Sequence, residues 1–250
     1  IVFMEGVPKN FDMNLLVKKK VICFPREPFV NKNYEKFKFS YGFTYNNFYH
    51  VVTNPQFINK DYDFLSGLKY NEHSMRFSAI ISNKSGGPSY KLRRNVLIML
   101  SQKYPKLCDI YGYGWKNELG VSYKGQLGYY HKTKDINKKS KYDALIDYKY
   151  TLCIENCAKK NYFSEKITDA ILCWCIPIYY GCPNIEDYLP KHSFYKIDIK
   201  DPNCIENIKE IINKPITAEN ITALETAREM ILNKYNVWPT IENILTQNKK

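Results

Sequence analysis

From residue 76 onward, short apolar runs alternate with longer amphipathic ones. Residues 77–81 form an apolar run of strand length, followed by the turn-rich stretch 83–89. Over 90–103, Leu92, Val96, Met99 and Leu100 recur at helical spacing. Residues 108–111 read as a strand that ends in the turn around Gly112 and Gly114. The rhythm continues with a short helix over 141–148, a strand over 150–154, a helix over 164–174, a strand over 176–179 and a helix over 204–212. Such alternation predicts an α/β fold with a parallel sheet covered on both faces. Thr217 can cap a helix running to about residue 235, with Ile221, Leu224, Ala227 and Ile231 at core spacing, and Pro239 opens a last short helix. The first third is different. It holds short strand-like and turn-like pieces: 21–24, closed by Pro25 and Pro28, an aromatic–polar alternation over 37–45, and 50–53.

This change of rhythm divides the chain into an N-terminal domain, 1–75, an α/β domain, 76–216, and C-terminal helices, 217–250, that cross back towards the first domain. In open α/β sheets, ligands bind beyond the carboxyl ends of the strands. Three loops occupy that position: 83–89, 112–115 and 155–164. The third carries the densest chemistry. Glu155 and Asn156 end an apolar strand, and Tyr162, Ser164, Glu165 and Lys166 open the next helix. Ser164 suits an N-cap, and Glu165 suits the positive end of the helix dipole. Lys166 gains nothing from that dipole, so a bound anion would rationalise it, as would an ordinary solvated lysine.

Net charge changes the picture only a little. At +12 it favours anionic partners, but the lysines are spread along the chain, and the run 132–141 reads as a solvated loop. The eight cysteines form no C-x-x-C pair and have no histidines at zinc spacing. Buried free thiols in a reducing compartment fit them, although an even count also permits disulfides. Tyrosine dominates an aromatic content of 15%, which suits polar clefts or a tyrosine-rich core alike. There is no apolar run of membrane-spanning length and no signal peptide. The expected location is cytoplasmic, or the soluble catalytic part of a Golgi-type enzyme if an anchor precedes Ile1.

Glu155-Asn156 followed by Asn161-Tyr162-Phe163-Ser164-Glu165-Lys166 resembles the α-1,3-fucosyltransferase signature F-E-N-x-x-x-x-(D/G)-Y-x-T-E-K, without a gap from Glu155 to Lys166. The likeness continues through Ala170, through residues 176–181 ending in Gly181, and through Tyr188-Leu189-Pro190 and Ser193-Phe194. Upstream, Ser82-Asn83, Arg93-Arg94-Asn95 and residues 108–112 are similar to further family elements. The chain departs from the pattern at Ile154, Cys157, Asn161 and Ser164. The resemblance implies a GT-B architecture, two Rossmann-like domains facing a cleft, and an inverting transfer of sugar from a GDP-sugar, most simply GDP-fucose, to a glycan or glycoconjugate hydroxyl. It implies Arg94 and Lys166 on the diphosphate, Glu165 on ribose hydroxyls, Tyr162 and Asn156 shaping the nucleotide and sugar pocket, and Ser82 and Asn83 opening the loop above it. Only one of the adjacent Arg93 and Arg94 is expected to face a ligand, since helical geometry sets them about 100° apart. Glu27, with Arg26 beside it, corresponds to the family's catalytic base.

No cofactor is implied, stimulation by a divalent metal being left open. Asp61-Tyr62-Asp63 is a D-x-D of the kind metal-dependent transferases use, and Asn83-Lys84-Ser85 and Asn220-Ile221-Thr222 are formal glycosylation sequons. Three other functions stay open: a transferase using another nucleotide sugar, a non-catalytic glycan-binding protein, and a basic nucleic-acid-binding module. The Glu155–Lys166 spacing speaks against the last.

Overall fold

The structure is a computed structural model that describes residues 2–4, 11–16, 22–24, 60–84, 86–130, 133–134 and 138–247. Strands β1 (Val2–Met4) and β2 (Ile22–Phe24) pair in parallel. The stretches 37–45 and 50–53, predicted as strands, and Glu27 lie outside the described residues.

The main body is a six-stranded parallel sheet. Its strands are β3 (Met75–Ile80), β4 (Asp109–Tyr111), β5 (Tyr123–Gly125), β8 (Tyr148–Ile154), β9 (Ile176–Tyr180) and β10 (Tyr195–Lys196), in the order β10-β9-β8-β3-β4-β5. A small antiparallel pair, β6 (Tyr129–Tyr130) and β7 (Thr133–Lys134), lies between β5 and β8 in sequence. The central strands are apolar because both of their faces are covered. In β8 the residues from Tyr150 to Ile154 are all buried, as are Phe77, Ala79, Ile110, Ile176 and Ile178. Ser78 and Thr151 sit side by side on the central pair and satisfy each other at 3.1 Å between hydroxyls.

The helices are α1 (Tyr62–Gly67), α2 (Pro88–Lys103), α3 (Glu165–Leu172), α4 (Cys204–Ile212), α5 (Ala218–Asn233) and α6 (Val237–Gln247). From β3 the chain runs outward through α2 to β4, and from β8 it runs the other way through α3 to β9. With right-handed crossovers these two helices cover opposite faces. Helix α4 packs beside α2, while α5 packs against α3 and α1.

Arg228 of α5 locks the second layer. It is 4% exposed, stacks 4.4 Å from the Trp174 ring, and donates to the carbonyl oxygens of Leu172, Leu65 and Leu68. It thereby satisfies carbonyls that the ends of α1 and α3 leave open.

Most of the predicted rhythm is present, and α4 matches to the residue. The helix predicted over 141–148 is absent. Residues 141–147 form turns, held by Asp143 accepting from both the amide and the hydroxyl of Ser140, and β8 already begins at Tyr148. Seven residues make too short a helix to survive competition from a local side-chain bond. Helix α6 begins at Val237, ahead of Pro239.

Candidate functional site

The direction of the chain reverses between β3 and β8. This is the topological switch point, where the carboxyl ends of diverging strands leave a crevice. A cavity of about 510 Å³ occupies it. Its lining comes from the end of β3 and the following loop (Ile80, Ile81, Ser82, Lys84), from the turn after β4 (Gly112, Tyr113) and from the end of β8 (Leu152, Cys153, Ile154, Asn156). Tyr90 and Arg93 of α2, Glu165 and Lys166 of α3, and Gln126, Leu127, Lys141 and Leu145 complete it. The three predicted loops meet here, together with a fourth segment that the sequence did not announce.

Close backbone approach makes the floor. Ile81 N donates to Tyr111 O and Asn83 N to Tyr113 O, so the β3–β4 ladder runs on past both strands. Gly112, at φ +150°, is indispensable to this contact: a Cβ there would come within 2.1 Å of Ile81 O. Trp115 Nε1 donates to that same carbonyl at 2.7 Å.

The β8–α3 wall centres on Glu155, which is 1% exposed. Its two carboxylate oxygens accept from the amide and the hydroxyl of Ser164, both at 2.7 Å, and Lys166 Nζ lies 3.2 Å away. Ser164 also caps α3, as predicted from its position. Lys166 therefore has a protein counter-ion: burial works against its charge, but Glu155 and Glu165 raise its pKa. Burial likewise works against the charge of Glu165, but Lys166 and Lys141 outweigh it and hold this carboxyl down at about 2. Glu165 is ionised and lines the cavity.

Gly181 belongs to this wall. A Cβ there would fall 2.4 Å from both Glu155 Cγ and the Tyr179 hydroxyl. Asn161 has φ +66°, a left-handed conformation open to Gly, Asn and Asp at low cost. Its amide donates to Asn184 Oδ1, and its own Oδ1 accepts from Asn184 Nδ2 and the Tyr188 hydroxyl. The similarity signature's D/G position is thus a backbone requirement.

The α2 wall presents Arg93, 5% exposed, stacked 4.9 Å from the Tyr90 ring. Its Nη1 donates to Asn156 Oδ1 at 2.7 Å, and its buried Nε has no partner among the described residues. Burial draws its pKa below the ordinary arginine value.

Here the structure corrects the expectation for Arg94. Arg94 Nε donates to Asn83 Oδ1 at 2.6 Å and its Nη2 meets Glu118 at 3.3 Å, outside the cavity lining. The helical offset between the two arginines is real, but α2 turns Arg93 inward, because Val96, Leu97 and Leu100 must face the sheet. Asn83 braces the rim through Gly114 O and Glu118. Tyr162 is buried at 3% but does not line the cavity. Of the residues singled out from sequence, Ser82, Asn156, Glu165 and Lys166 come together at the cavity; Arg94, Asn83 and Tyr162 do not line it. Arg93 and Lys141 were missed as site residues. Two adjacent arginines gave no way to choose, and Lys141 sat at the end of a lysine run read as solvated.

The remaining motifs have structural roles. Asp61 Oδ1 caps α1 by accepting from Phe64 N at 2.8 Å. No group of three metal-ligating side chains gathers among the described residues. Asn220 is 3% exposed within the capping box of α5, and its Nδ2 donates to His192 O. Seven cysteines are free, and all but Cys157 are buried. No described helix is long and apolar enough to cross a membrane.

Comparison with known proteins supplies the context for this geometry. An α-(1,3)-fucosyltransferase of Helicobacter pylori is 39% identical over 85 residues, a stretch equal to 32% of this chain and 16% of that protein. A crystal structure of an α1,3-fucosyltransferase superposes with a TM-score of 0.55 at 16% identity, covering 100% of this chain and 78% of the other. A crystal structure of an α1,3-fucosyltransferase with GDP-fucose gives 0.51 at 17%, covering 99% and 76%. At such identities the likeness is one of fold, and the fold is the GT-B type that the sequence implied. Residues 83–220, more than half of the chain, match the family described as "Glycosyltransferase family 10 (fucosyltransferase) C-term". The cavity, the Glu155–Lys166 wall and Arg93 all fall inside that match, and the chain belongs to glycosyltransferase family 10, the fucosyltransferases.

Proposed function

We propose that this chain is an inverting glycosyltransferase that binds a GDP-sugar in the switch-point cavity and transfers the sugar, fucose first among candidates, to a glycan hydroxyl. One observation carries the reading. The cavity lining holds Lys84, Arg93, Lys141 and Lys166 against a single carboxylate, Glu165, at the N-terminus of α3. That arrangement attracts an anion and suits a departing diphosphate, whose negative charge grows in the transition state. Arg93 takes the role first expected of Arg94, and its unpartnered Nε is a donor ready for a phosphate oxygen. Lys166 faces the same anion, and ionised Glu165 accepts from ribose hydroxyls. Asn156 orients Arg93, and Ser82 contributes from the β3 loop.

In this reading residues 76–216 hold the donor, residues 1–75 the acceptor, and the C-terminal helices brace the two. Residues 60–68 already contact α5 through Arg228 and through the Tyr62 hydroxyl, which donates to Asn233 Oδ1 at 2.8 Å. Glu27 serves as the base that removes the acceptor proton.

Calorimetric titration with GDP and UDP, followed by release of GDP from GDP-fucose, tests the proposal. GDP should bind and UDP should not; a chain that binds neither would end the donor assignment. Glu27→Gln should keep GDP binding and lose transfer by about 10²- to 10⁴-fold.

A further inference from the structure

Lys141 enters the cavity from the turn before β8, and its ammonium lies 2.5 Å from Asp169 Oδ2. Lys141 is 20% exposed and Asp169 is wholly buried. Asp169 stands four residues after Glu165 on α3, so the two carboxylates share a helix face. Lys141, Lys166, Glu165 and Asp169 are close enough to act on one another electrostatically.

Three features of this cluster exceed what a stabilising ion pair requires. An ammonium carries three donors, and among the described residues Lys141 uses one, on Asp169. The Lys141 side chain lines the cavity that Arg93 and Lys166 also line. Asp169 Oδ1 is buried with no partner among the described residues, so this carboxylate gains little in its own hydration and acts mainly to fix one ammonium. A buried pair is weak evidence for stability; a pair whose cation is presented to a cavity has a further use. Glu155 holds Lys166 on the neighbouring side in the same manner.

We propose that Asp169 is a positioning residue that holds Lys141 against the diphosphate of the donor, beside Arg93 and Lys166. The inference rests on the GDP-sugar reading above and adds a residue pair that neither the motif nor the spacing contains. Lys141 neutralises phosphate charge; Asp169 acts only through it.

The test is calorimetric titration of GDP and of guanosine into the parent chain, Lys141→Met, Lys141→Arg and Asp169→Asn, each shown to be folded by near-UV circular dichroism. Guanosine has the base and ribose but no phosphate. Lys141→Met should weaken GDP by about tenfold or more, the scale of one lost charge-assisted contact, and leave guanosine within about twofold. Lys141→Arg should recover most of the GDP affinity, and Asp169→Asn should weaken GDP by about three- to tenfold with guanosine unmoved. Parallel loss of GDP and guanosine would show a merely structural pair and overturn the proposal. So would a Lys141→Met chain that binds GDP as the parent does, with the donor reading left standing. A parent chain that binds no GDP removes the donor reading and this inference together. If Lys141→Met fails to fold, Asp169→Asn and Lys141→Arg decide the matter by the same ratio of GDP to guanosine.

Discussion

On the β8–α3 side of the cavity, charge is balanced within the protein: Lys166 faces Glu155 and Glu165, and Lys141 faces Asp169. On the α2 side, Arg93 has only a neutral amide, Asn156, and an aromatic ring. The first wall completes itself during folding and its charges hold its shape. The second carries a buried cation whose partner is still to come. A ligand anion thus gains most from the side the protein leaves unbalanced.

The largest effect separating the walls is expected from Lys166→Met. It strips buried Glu155 of its counter-ion, so stability should fall by about 3–5 kcal/mol along with GDP affinity. Urea unfolding read beside GDP titration checks it; a stable variant with lost affinity would erase the difference between the walls. Arg93→Ala comes next, with the opposite signature. GDP affinity should fall by at least about tenfold while stability stays within about 1 kcal/mol of the parent, because no buried anion is abandoned.

Gly181→Ala probes the first wall by shape alone. Its Cβ would strike Glu155 Cγ and the Tyr179 hydroxyl, and a loss of about 1–3 kcal/mol is expected. A variant as stable as the parent would mean that Glu155 can shift freely.

The pH dependence distinguishes two carboxylates of that same wall. Glu165, held at about 2 against an ordinary 4.5, supports folding in full above pH 4.5 and loses that support as pH falls towards 2. Asp169 runs the other way: burial raises it from 3.8 to about 6 despite Lys141. Its charged form costs stability above pH 6, and the cost fades as pH falls from 6 to 3.8. The stability of the parent relative to Asp169→Asn should therefore be greater at pH 4 than at pH 7, measured by urea unfolding at both. The smallest effect belongs to Arg94→Ala, which removes a partly exposed pair with Glu118. GDP affinity should stay within about twofold and stability within about 1 kcal/mol.

The sequence and the structure part company along the same line as the walls. Glu155, Ser164, Glu165 and Lys166 are near neighbours at one strand–helix junction, so local spacing exposed both the cap and the charges. The central strands were equally plain, since a strand buried on both faces is apolar throughout. Arg93 and Lys141 depend on tertiary placement. The choice between Arg93 and Arg94 is made by which face of α2 meets the sheet, and the tie between residues 141 and 169 exists only once α3 has docked. The short strands β5, β6 and β7 and the six-residue α1 carry too few apolar residues to announce themselves. Asn161 looked like a departure from a signature and proved to be one of the few residues its backbone angle accepts.

Arg228 has a consequence for the order of events during synthesis. The carbonyl oxygens it satisfies belong to residues 65, 68 and 172, all of which leave the ribosome well before it does. Until α5 emerges, the ends of α1 and α3 have open carbonyls and Trp174 lacks its stacking partner, so the layer that supports Lys166 and Asp169 is incomplete. A nascent chain released short of residue 228 would carry every residue of the cavity lining and still lack the brace behind it.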